Sequence, residues 1–298
     1  MQRKIRMSEI CNRFNLKYVG EDFFINGLNL CNRKSKYDCI LTYVTNENYV
    51  ESIRENTAVK GVILTKDVLP TYEAKVKNKG VTFIICDNPE GFFYDIHDYL
   101  YYQTDFYEKY DFMAQVGDGC DIHASAVIED GVVIGKNVRI GANTVVRKGT
   151  VIKDNCKIGC NTIIGSEGFQ IVKYRGKNRR VVHCGGILID ENVCIGDNVT
   201  VCNSLFENTS YIGRQVMIDN HAYIAHNVVI EDNAVITAAV VLCGSTIVEK
   251  DAWVGVNTSV LNRVTVGSYS KIGIGSVVTR DVPEGTLTYG VPARAKGK

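Results

Sequence analysis

An aliphatic residue recurs every six positions through two thirds of this 298-residue chain. Every sixth residue from Ile122 to Ile164 is Ile or Val, and every sixth residue from Ile212 to Val278 is Ile, Leu or Val. A shorter block lies between them at Ile189, Ile195 and Val201. Neither an α-helix, with 3.6 residues per turn, nor an alternating strand has this period. The repeat therefore excludes an ordinary helical or alternating-strand architecture for this region.

A triangular coil of three short strands does have a period of six residues for each wall. The aliphatic side chain then points into the prism, and Gly or Asn occupies the corner. Eighteen residues complete one coil, so residues i and i+18 lie above one another at the sheet spacing of ~4.8 Å. The repeats amount to seven to eight coils. We therefore predict a mainly β protein with a parallel β-helix over residues 111–282.

The six-residue repeat is interrupted twice. Residues 166–186 form an insertion, for which we predict a projecting loop, and this loop contains Lys173, Arg175, Lys177, Arg179 and Arg180. Between Val201 and Ile212 the spacing is eleven residues where twelve would keep the register, so one residue is missing near Phe206. Excursions on one face of a solenoid commonly build its binding surface.

Residues 1–110 lack the repeat and predict a small α/β domain with a linking helix. The segments KGVILT and GVTFIIC are typical of buried strands, and NENYVESIREN favours a helix with Asn46 near its start. The aromatic segment from Asn88 to Tyr110 predicts a further helix that leads into the repeat. No G-x-G-x-x-G motif occurs in the domain, which disfavours a Rossmann-type dinucleotide site.

Several segments resemble the UDP-3-O-acylglucosamine N-acyltransferase family of lipid A synthesis, up to about residue 250. They are INGLNLCNRKSKYDCILTYVTNENYVESI, KGVILT, CDNPEGFFYDI, GSEGF, IDNHAYIAHNVVIEDNAVI and CGSTIV. The resemblance implies a left-handed β-helix. The tail at residues 283–298 departs from that family and is similar to coenzyme A-dependent sugar acyltransferases of the same fold. The combination resembles N-acyltransferases of nucleotide-linked (dTDP or UDP) amino sugars, such as those acting on dTDP-4-amino-4,6-dideoxyglucose.

The resemblance implies a catalytic role for His226 of the IAHN motif, as the base that takes a proton from the attacking amine. A neutral imidazole can do so near neutral pH. Gly244 lies eighteen residues further on, so its N–H is the expected oxyanion donor. A route in which the amine passes its proton directly to the leaving sulfur remains open. Asn203 and Asn220 are candidate orienting groups.

A coenzyme A arm along the same wall would reach Asn262 and Arg280, the next residues in steps of eighteen. Arg280 is then a candidate for the adenosine phosphates. Pro292 and Arg294, in the GVPAR turn, are expected to contact the coenzyme as well.

The family's first domain holds the uracil base, so Tyr43 and Tyr49 are expected to flank a base and Asn46 to bond its polar edge. The alternative is that Tyr43 is a core residue and Asn46 only a helix cap. In the loop, Phe169, Arg179 and Arg180 are expected to contact substrate, the two cations through a phosphate group.

The composition narrows the remaining possibilities. The formal net charge of +1 argues against a nucleic-acid partner, and no apolar run is long enough to span a bilayer. The N-terminus shows no apolar signal region, and eleven scattered Cys without C-x-x-C are typical of reduced cysteines. We therefore expect a cytoplasmic enzyme with acyl-CoA and a nucleotide-linked amino sugar as partners, no metal and, by analogy with the fold, a homotrimer.

Three alternatives stay open from the sequence. One is a lipid A type N-acyltransferase that uses acyl carrier protein. Another is a metalloenzyme resembling the γ-class carbonic anhydrases, because His183, His221 and His226 are available as zinc ligands. The last is a non-catalytic prism that serves as a binding module.

Overall fold

The computed structural model describes residues 3–33, 35–76, 80–174, 176–206 and 208–295. The chain divides into two compact units. Unit 1 comprises residues 1–108 together with 170–182, and unit 2 comprises residues 109–169 and 183–298. The segment 170–182, for which the sequence predicts a loop projecting from the β-helix, thus groups with the N-terminal unit.

Unit 1 contains a five-stranded sheet in which the three central strands are parallel. The order is β2 (Tyr18–Val19), β7 (Thr82–Ile85), β6 (Val59–Leu64), β5 (Ile40–Val44) and β4 (Gly27–Leu28), with β2 antiparallel to β7 and β4 parallel to β5. A separate antiparallel pair joins β1 (Ile5–Arg6) to β3 (Phe24–Ile25). The segments KGVILT and GVTFIIC form β6 and β7, as their apolar runs predict.

The described residues of unit 1 form four α-helices: α1 (Met7–Phe14), α2 (Val50–Glu55), α3 (Leu69–Lys75) and α4 (Pro89–Gln103). A 3-10 turn at Glu47–Tyr49 precedes α2, and Asn46 caps it. The aromatic helix α4 ends seven residues earlier than the sequence predicts. Thr104 terminates it, because its hydroxyl donates to Leu100 O at 2.7 Å and accepts from Phe106 N at 3.1 Å.

An antiparallel hairpin, Ile171–Tyr174 with Lys177–Arg180, packs on α4 within unit 1. Arg179 donates to Asp95 and Asp98 of α4 at 2.6 Å each and to Tyr94 O at 3.0 Å. The hydroxyl of Tyr174 donates to Asp95 at 2.9 Å. These bonds attach the hairpin to the helix.

Unit 2 is a prism of three sheets, which together form the left-handed parallel β-helix. The first sheet contains Val127–Ile128, Val145–Val146, Ile163–Ser166, Thr200–Cys202, Tyr223–Ile224, Val241–Leu242, Ser259–Val260 and Val277–Val278. The second contains Gln115–Val116, Val133–Ile134, Thr150–Ile152, Gly186–Ile189, Thr209–Ile212, Val229–Ile230, Ile247–Val248 and Thr265–Val266. The third contains Asp121–Ile122, Arg139–Ile140, Lys157–Ile158, Cys194–Ile195, Met217–Ile218, Val235–Ile236, Trp253–Val254, Lys271–Ile272, Leu287–Gly290 and Ala293–Ala295.

The strands pair in the register that the repeat predicts. Residues eighteen apart face each other in regular coils, as Ile224 faces Leu242 and Leu242 faces Val260. The inward aliphatic residues are buried: these three are at most 1% exposed. Corner residues adopt left-handed backbone angles, and Asn fills many of them because it tolerates this region better than most residues. The repeat thus forms a continuous apolar core through the prism.

At the second interruption, the chain turns with Phe206 at φ +59° and 1% exposed. The expectation of one missing residue is wrong: Val201 and Ile212 lie on consecutive walls, so this step takes eleven residues in place of six, and the five extra residues replace a regular corner. In the part of the chain that the structure describes, no helix is long and apolar enough to cross a membrane.

Candidate active site

Five of the residues singled out in the sequence lie in one column of the prism, at the corner that follows the first sheet. The register pairs Val201 with Ile224, Ile224 with Leu242, Leu242 with Val260, and Val260 with Val278. Two residues after each of these come Asn203, His226, Gly244, Asn262 and Arg280. The column predicted from the spacing of eighteen therefore exists, and it also includes Asn203.

His226 is 9% exposed, and its hydrogen bonds define which ring nitrogen is basic. Nδ1 lies 2.9 Å from Oδ1 of Asn227. The backbone N–H of Leu205 donates to the same oxygen at 3.0 Å, which identifies that atom as the amide oxygen. Nδ1 must then carry the proton, so the lone pair of the neutral ring lies on Nε2.

Nε2 of His226 faces Gly244. A Cβ atom built on Gly244 would lie 2.6 Å from Nε2 and 2.7 Å from Cε1. The backbone bonds of this turn run from Ser245 N to His226 O at 2.9 Å and from Arg263 N to Gly244 O at 3.1 Å, and neither uses the Gly244 N–H. Without a side chain, Gly244 thus leaves a notch in the corner, and the His226 ring lies in it next to a backbone N–H.

His183 joins this site from the far end of the insertion. Its ring centroid lies 5.2 Å from that of His226, with the planes 66° apart. Gly168 allows the approach, since a Cβ there would overlap Nε2 of His183 and lie 2.9 Å from Cβ of His226. Asn203 donates from Nδ2 to His183 O at 3.2 Å, and its Oδ1 is buried without a hydrogen-bond partner among the described residues. That oxygen suits a donor on a ligand.

The candidate coenzyme residues lie toward the C-terminal end of the prism. Asn262 and Arg280 are exposed, two and three coils beyond His226, which places Arg280 about 14 Å along the axis. Pro292 and Arg294 belong to a terminal hairpin, Leu287–Gly290 with Ala293–Ala295, at the end of the third sheet. Arg294 is exposed, and one of its guanidinium nitrogens donates to Ala293 O at 2.8 Å.

Asn220 lies at a different corner from His226, after the third sheet, because it follows Met217–Ile218 by two residues. Its Oδ1 accepts from Asp197 N at 2.7 Å, a bond between neighbouring coils. His221 follows Asn220 directly and is exposed at that same corner, five residues and so nearly one full wall before His226. Within the described ranges, no three His, Cys, Asp or Glu side chains are placed to hold a metal ion.

The three candidate base-binding residues of unit 1 lie on strand β5 or directly after it. Tyr43 is on β5, its hydroxyl donates to Glu90 at 3.0 Å, and its ring lies 5.0 Å from that of Phe93. Burial, followed by the nearby Tyr94 and Glu90, raises the pKa of Tyr43. Asn46 caps the 3-10 turn by accepting from Asn48 N at 2.9 Å, so its NH2 group is the part that a base carbonyl can use. Tyr49 is half-buried at the end of the turn.

The three candidate substrate residues of the predicted loop have different surroundings in the structure. Phe169 is 71% exposed next to Gly168 in unit 2. Arg179 is bound to Asp95 and Asp98, so its charge is already neutralised, while Arg180 is exposed on the hairpin. Arg175 lies outside the described residues.

The sequence does not predict the roles of Asn227 and Gly168 in the site. The signal for Asn227 is that it is a polar residue directly after the candidate base in IAHN. The signal for Gly168 is that it is a glycine of GSEGF within the first interruption of the repeat.

Comparisons with known proteins agree with this fold. Residues 113–148 and 209–244 match the family described as bacterial transferase hexapeptide (six repeats), and residues 131–166 match the hexapeptide repeat of succinyl-transferase. A UDP-3-O-acylglucosamine N-acyltransferase of Campylobacter concisus is 32% identical over 94% of this chain and 91% of its own length. The chain belongs to this family of hexapeptide-repeat acyltransferases.

Two further similarities concern parts of the chain. The dTDP-3-amino-3,6-dideoxy-alpha-D-galactopyranose 3-N-acetyltransferase of Aneurinibacillus thermoaerophilus is 50% identical over a short region. That region is 18% of this chain and 28% of that protein. The UDP-N-acetylglucosamine acyltransferase structure from Campylobacter jejuni, 24% identical, superimposes with a TM-score of 0.55 over 61% of this chain and 69% of its own. The latter likeness concerns the fold. Family membership makes this chain a nucleotide-sugar acyltransferase.

Proposed function

We propose that the protein transfers an acyl group from acyl-CoA to the amine of a dTDP- or UDP-linked amino sugar. The observation that carries the proposal is the basic Nε2 of His226 facing the notch at Gly244. A base beside a backbone donor is what aminolysis of a thioester needs.

The reaction in this site proceeds by addition and elimination. The amine lone pair attacks the thioester carbonyl, a C–N bond forms, and the carbonyl oxygen becomes an oxyanion held by the Gly244 N–H. Nε2 of His226 takes one proton from the nitrogen. The C–S bond then breaks, the carbonyl re-forms, and the imidazolium returns its proton to the leaving thiolate. The products are an amide and free coenzyme A.

The C-terminal coils support coenzyme A as the donor. Arg280 lies in the same column as His226 and offers a cation for a phosphate at the far end of an extended pantetheine arm. Asn262, between them, offers an amide for the arm's own amide groups. Pro292 and Arg294 belong to the hairpin that closes this end of the prism.

The substrate residues proposed in unit 1 are Tyr43, Asn46 and Tyr49, with aromatic faces for a pyrimidine and the Asn46 NH2 group for one of its carbonyls. In unit 2, Phe169 and the unpartnered Oδ1 of Asn203 are proposed to contact the sugar. Asn220 and Arg179 are left out, because their side chains already serve bonds within the protein.

We also propose a homotrimer. The first sheet exposes an apolar stripe that includes Val127, Ile163, Tyr223 and Val277, with Val127 52% exposed. An exposed row with several large apolar side chains favours burial against another surface. Sedimentation equilibrium should show a species of three chains, and a monomer at micromolar concentration would contradict the trimer.

The decisive experiment incubates the protein with UDP- and dTDP-amino sugars and with acetyl-CoA, longer acyl-CoA or acyl-acyl carrier protein. The amide product is followed by mass spectrometry, because the eleven free cysteines would react with thiol reagents. We expect turnover with a coenzyme A thioester. Turnover with acyl carrier protein alone would favour the second candidate, a lipid A type N-acyltransferase, which the similarity along 94% of the chain supports. No product with any pair would refute both.

A further inference from the structure

The second interruption of the repeat has a consequence beside His226. Between Val201 of the first sheet and Ile212 of the second the chain has eleven residues where a regular step from wall to wall has six, so the segment after Cys202 cannot form a regular corner. It turns instead with Phe206 in the left-handed region. Ser204 and Leu205 become fully buried, and they lie directly against Asn227.

A closed hydrogen-bond network results. Nδ2 of Asn227 donates to Ser204 Oγ at 3.1 Å, and the N–H of Asn227 donates to Ser210 Oγ at 3.0 Å. Ser210 Oγ donates to Cys202 O at 3.1 Å. Ser204 Oγ lies 3.4 Å from Ser210 Oγ, so its own proton has an acceptor there. Both serines are at most 1% exposed.

The network permits one orientation of the Asn227 amide. Leu205 N–H requires an oxygen at Oδ1, and Ser204, which accepts from Nδ2, holds the NH2 group on the opposite side. A flipped amide would set its NH2 against the Leu205 N–H and against Nδ1–H of His226. Leaving such buried donors unpaired is unfavourable.

We propose that Ser204 and Ser210 hold Asn227 as a positioning residue that fixes the Nε2-basic tautomer of His226. The proposal rests on the role of His226 as the base. It assigns a function to the second interruption of the repeat, because Ser204 and Leu205, which bond the Asn227 amide, lie in the lengthened segment, while Ser210 holds a regular inward position two residues before Ile212.

The first test is independent of catalysis. The chain has five His, so selective 15N-histidine labelling and long-range 1H–15N correlation spectra can report the His226 tautomer. We expect unprotonated Nε2 in the unaltered protein and a tautomer mixture in Ser204→Ala and Ser210→Ala. Ser270→Ala is the matched control, because Ser270 is also fully buried in the prism and donates to Gly267 O.

The second test uses Asn227→Asp. A carboxylate has two equivalent acceptor oxygens, so it needs no orientation by Ser204. The double variant Ser204→Ala, Asn227→Asp should therefore regain the Nε2-basic tautomer that Ser204→Ala loses. In the transferase assay we expect kcat of Ser204→Ala to fall about ten- to a hundredfold with KM within threefold, and the double variant to recover most of the loss.

The proposal is overturned if Ser204→Ala and Ser210→Ala keep the tautomer of the unaltered protein, whatever their activity. It is also overturned if Ser270→Ala disturbs the tautomer equally, since the effect would then follow from loss of any buried hydroxyl. If Ser204→Ala does not fold, Ser204→Cys and Ser210→Ala carry the same expectation. Because the tautomer spectrum needs no substrate, a failure of the proposed reaction is distinguishable from a failure of this inference.

Discussion

Nε2 of His226 lies 2.6 Å from the point that a Cβ atom would occupy at Gly244. Gly244 therefore provides the space that the imidazole ring occupies, which a larger residue would take from it. The backbone at Gly244 is outside the left-handed region, so Ala fits the main chain there without strain.

Gly244→Ala should abolish most of the transfer while leaving the prism folded. The added methyl group displaces the imidazole or fills the notch, so we expect kcat to fall by at least a hundredfold, about 2.7 kcal/mol of barrier. Circular dichroism and the melting temperature should stay close to those of the unaltered protein. Gly275→Ala is unsuitable as a control because its φ is +64°; Ser245→Ala, one residue away, is better matched. Retained activity in Gly244→Ala would contradict the notch.

His226→Gln tests whether the imidazole is a base. Loss of a general base typically costs a hundred- to ten-thousandfold, and we expect kcat to fall within that range with little change in KM. His123→Gln, an exposed histidine of the prism, is the control. A loss below tenfold would favour direct transfer of the proton from the amine to the leaving sulfur.

Arg280→Ala should weaken binding of the coenzyme without slowing the chemistry. Arg280 is exposed and three coils from His226, so we expect KM for acyl-CoA to rise about three- to tenfold, as for a single exposed ionic contact of roughly 1 kcal/mol. The KM for the amino sugar should not change. Arg263→Ala, exposed at the neighbouring corner position, serves as the control. Equal KM values for the two variants would exclude Arg280 from the coenzyme site.

Arg179→Met should destabilise unit 1 and leave substrate binding intact. Removing the guanidinium takes the cationic partner from Asp95 and Asp98 and leaves Asp95 with the Tyr174 hydroxyl alone, at a cost of about 1–3 kcal/mol. We expect a lower melting temperature for Arg179→Met than for Arg180→Met, with unchanged KM values for the former. A raised KM for the nucleotide sugar at unchanged stability would instead make Arg179 a phosphate ligand.

His97 predicts a loss of stability in acid. Its Nε2 donates to Val182 O at 3.0 Å, so Nδ1 accepts from the Tyr107 hydroxyl at 2.7 Å and the ring is neutral. Burial lowers the pKa of His97 from 6.5 to about 4. In the unfolded chain His97 therefore binds a proton below about pH 6.5, whereas in the folded protein it does so only near pH 4.

The contribution of neutral His97 to the free energy of unfolding is therefore complete above pH 6.5. It falls by roughly 3 kcal/mol as the pH is lowered to 4. Urea unfolding of unit 1 at pH 7 and pH 5 should show this dependence in the unaltered protein and a smaller one in His97→Gln. His123→Gln should retain it in full. An equal pH dependence in all three proteins would assign the acid sensitivity to other groups.

The sequence alone determined the prism, because a period of six residues permits few other packings and repeats its own register. Once residues i and i+18 must stack, His226, Gly244, Asn262 and Arg280 fall into one column without any coordinates. The same reasoning places the single Trp253 outward, and the structure leaves it 47% exposed. In unit 1, short apolar runs sufficed to predict β6 and β7.

Only the tertiary structure decided what happens where the repeat stops. The hairpin carrying Arg179 and the arrival of His183 beside His226 depend on contacts between residues that are remote in sequence and follow no period. The orientation of Asn227 likewise depends on Ser204 and Leu205, which lie in the lengthened segment between Val201 and Ile212 and follow no period. Periodic segments specify their neighbours by spacing, whereas interruptions acquire theirs through packing and hydrogen bonds that form only in the folded chain.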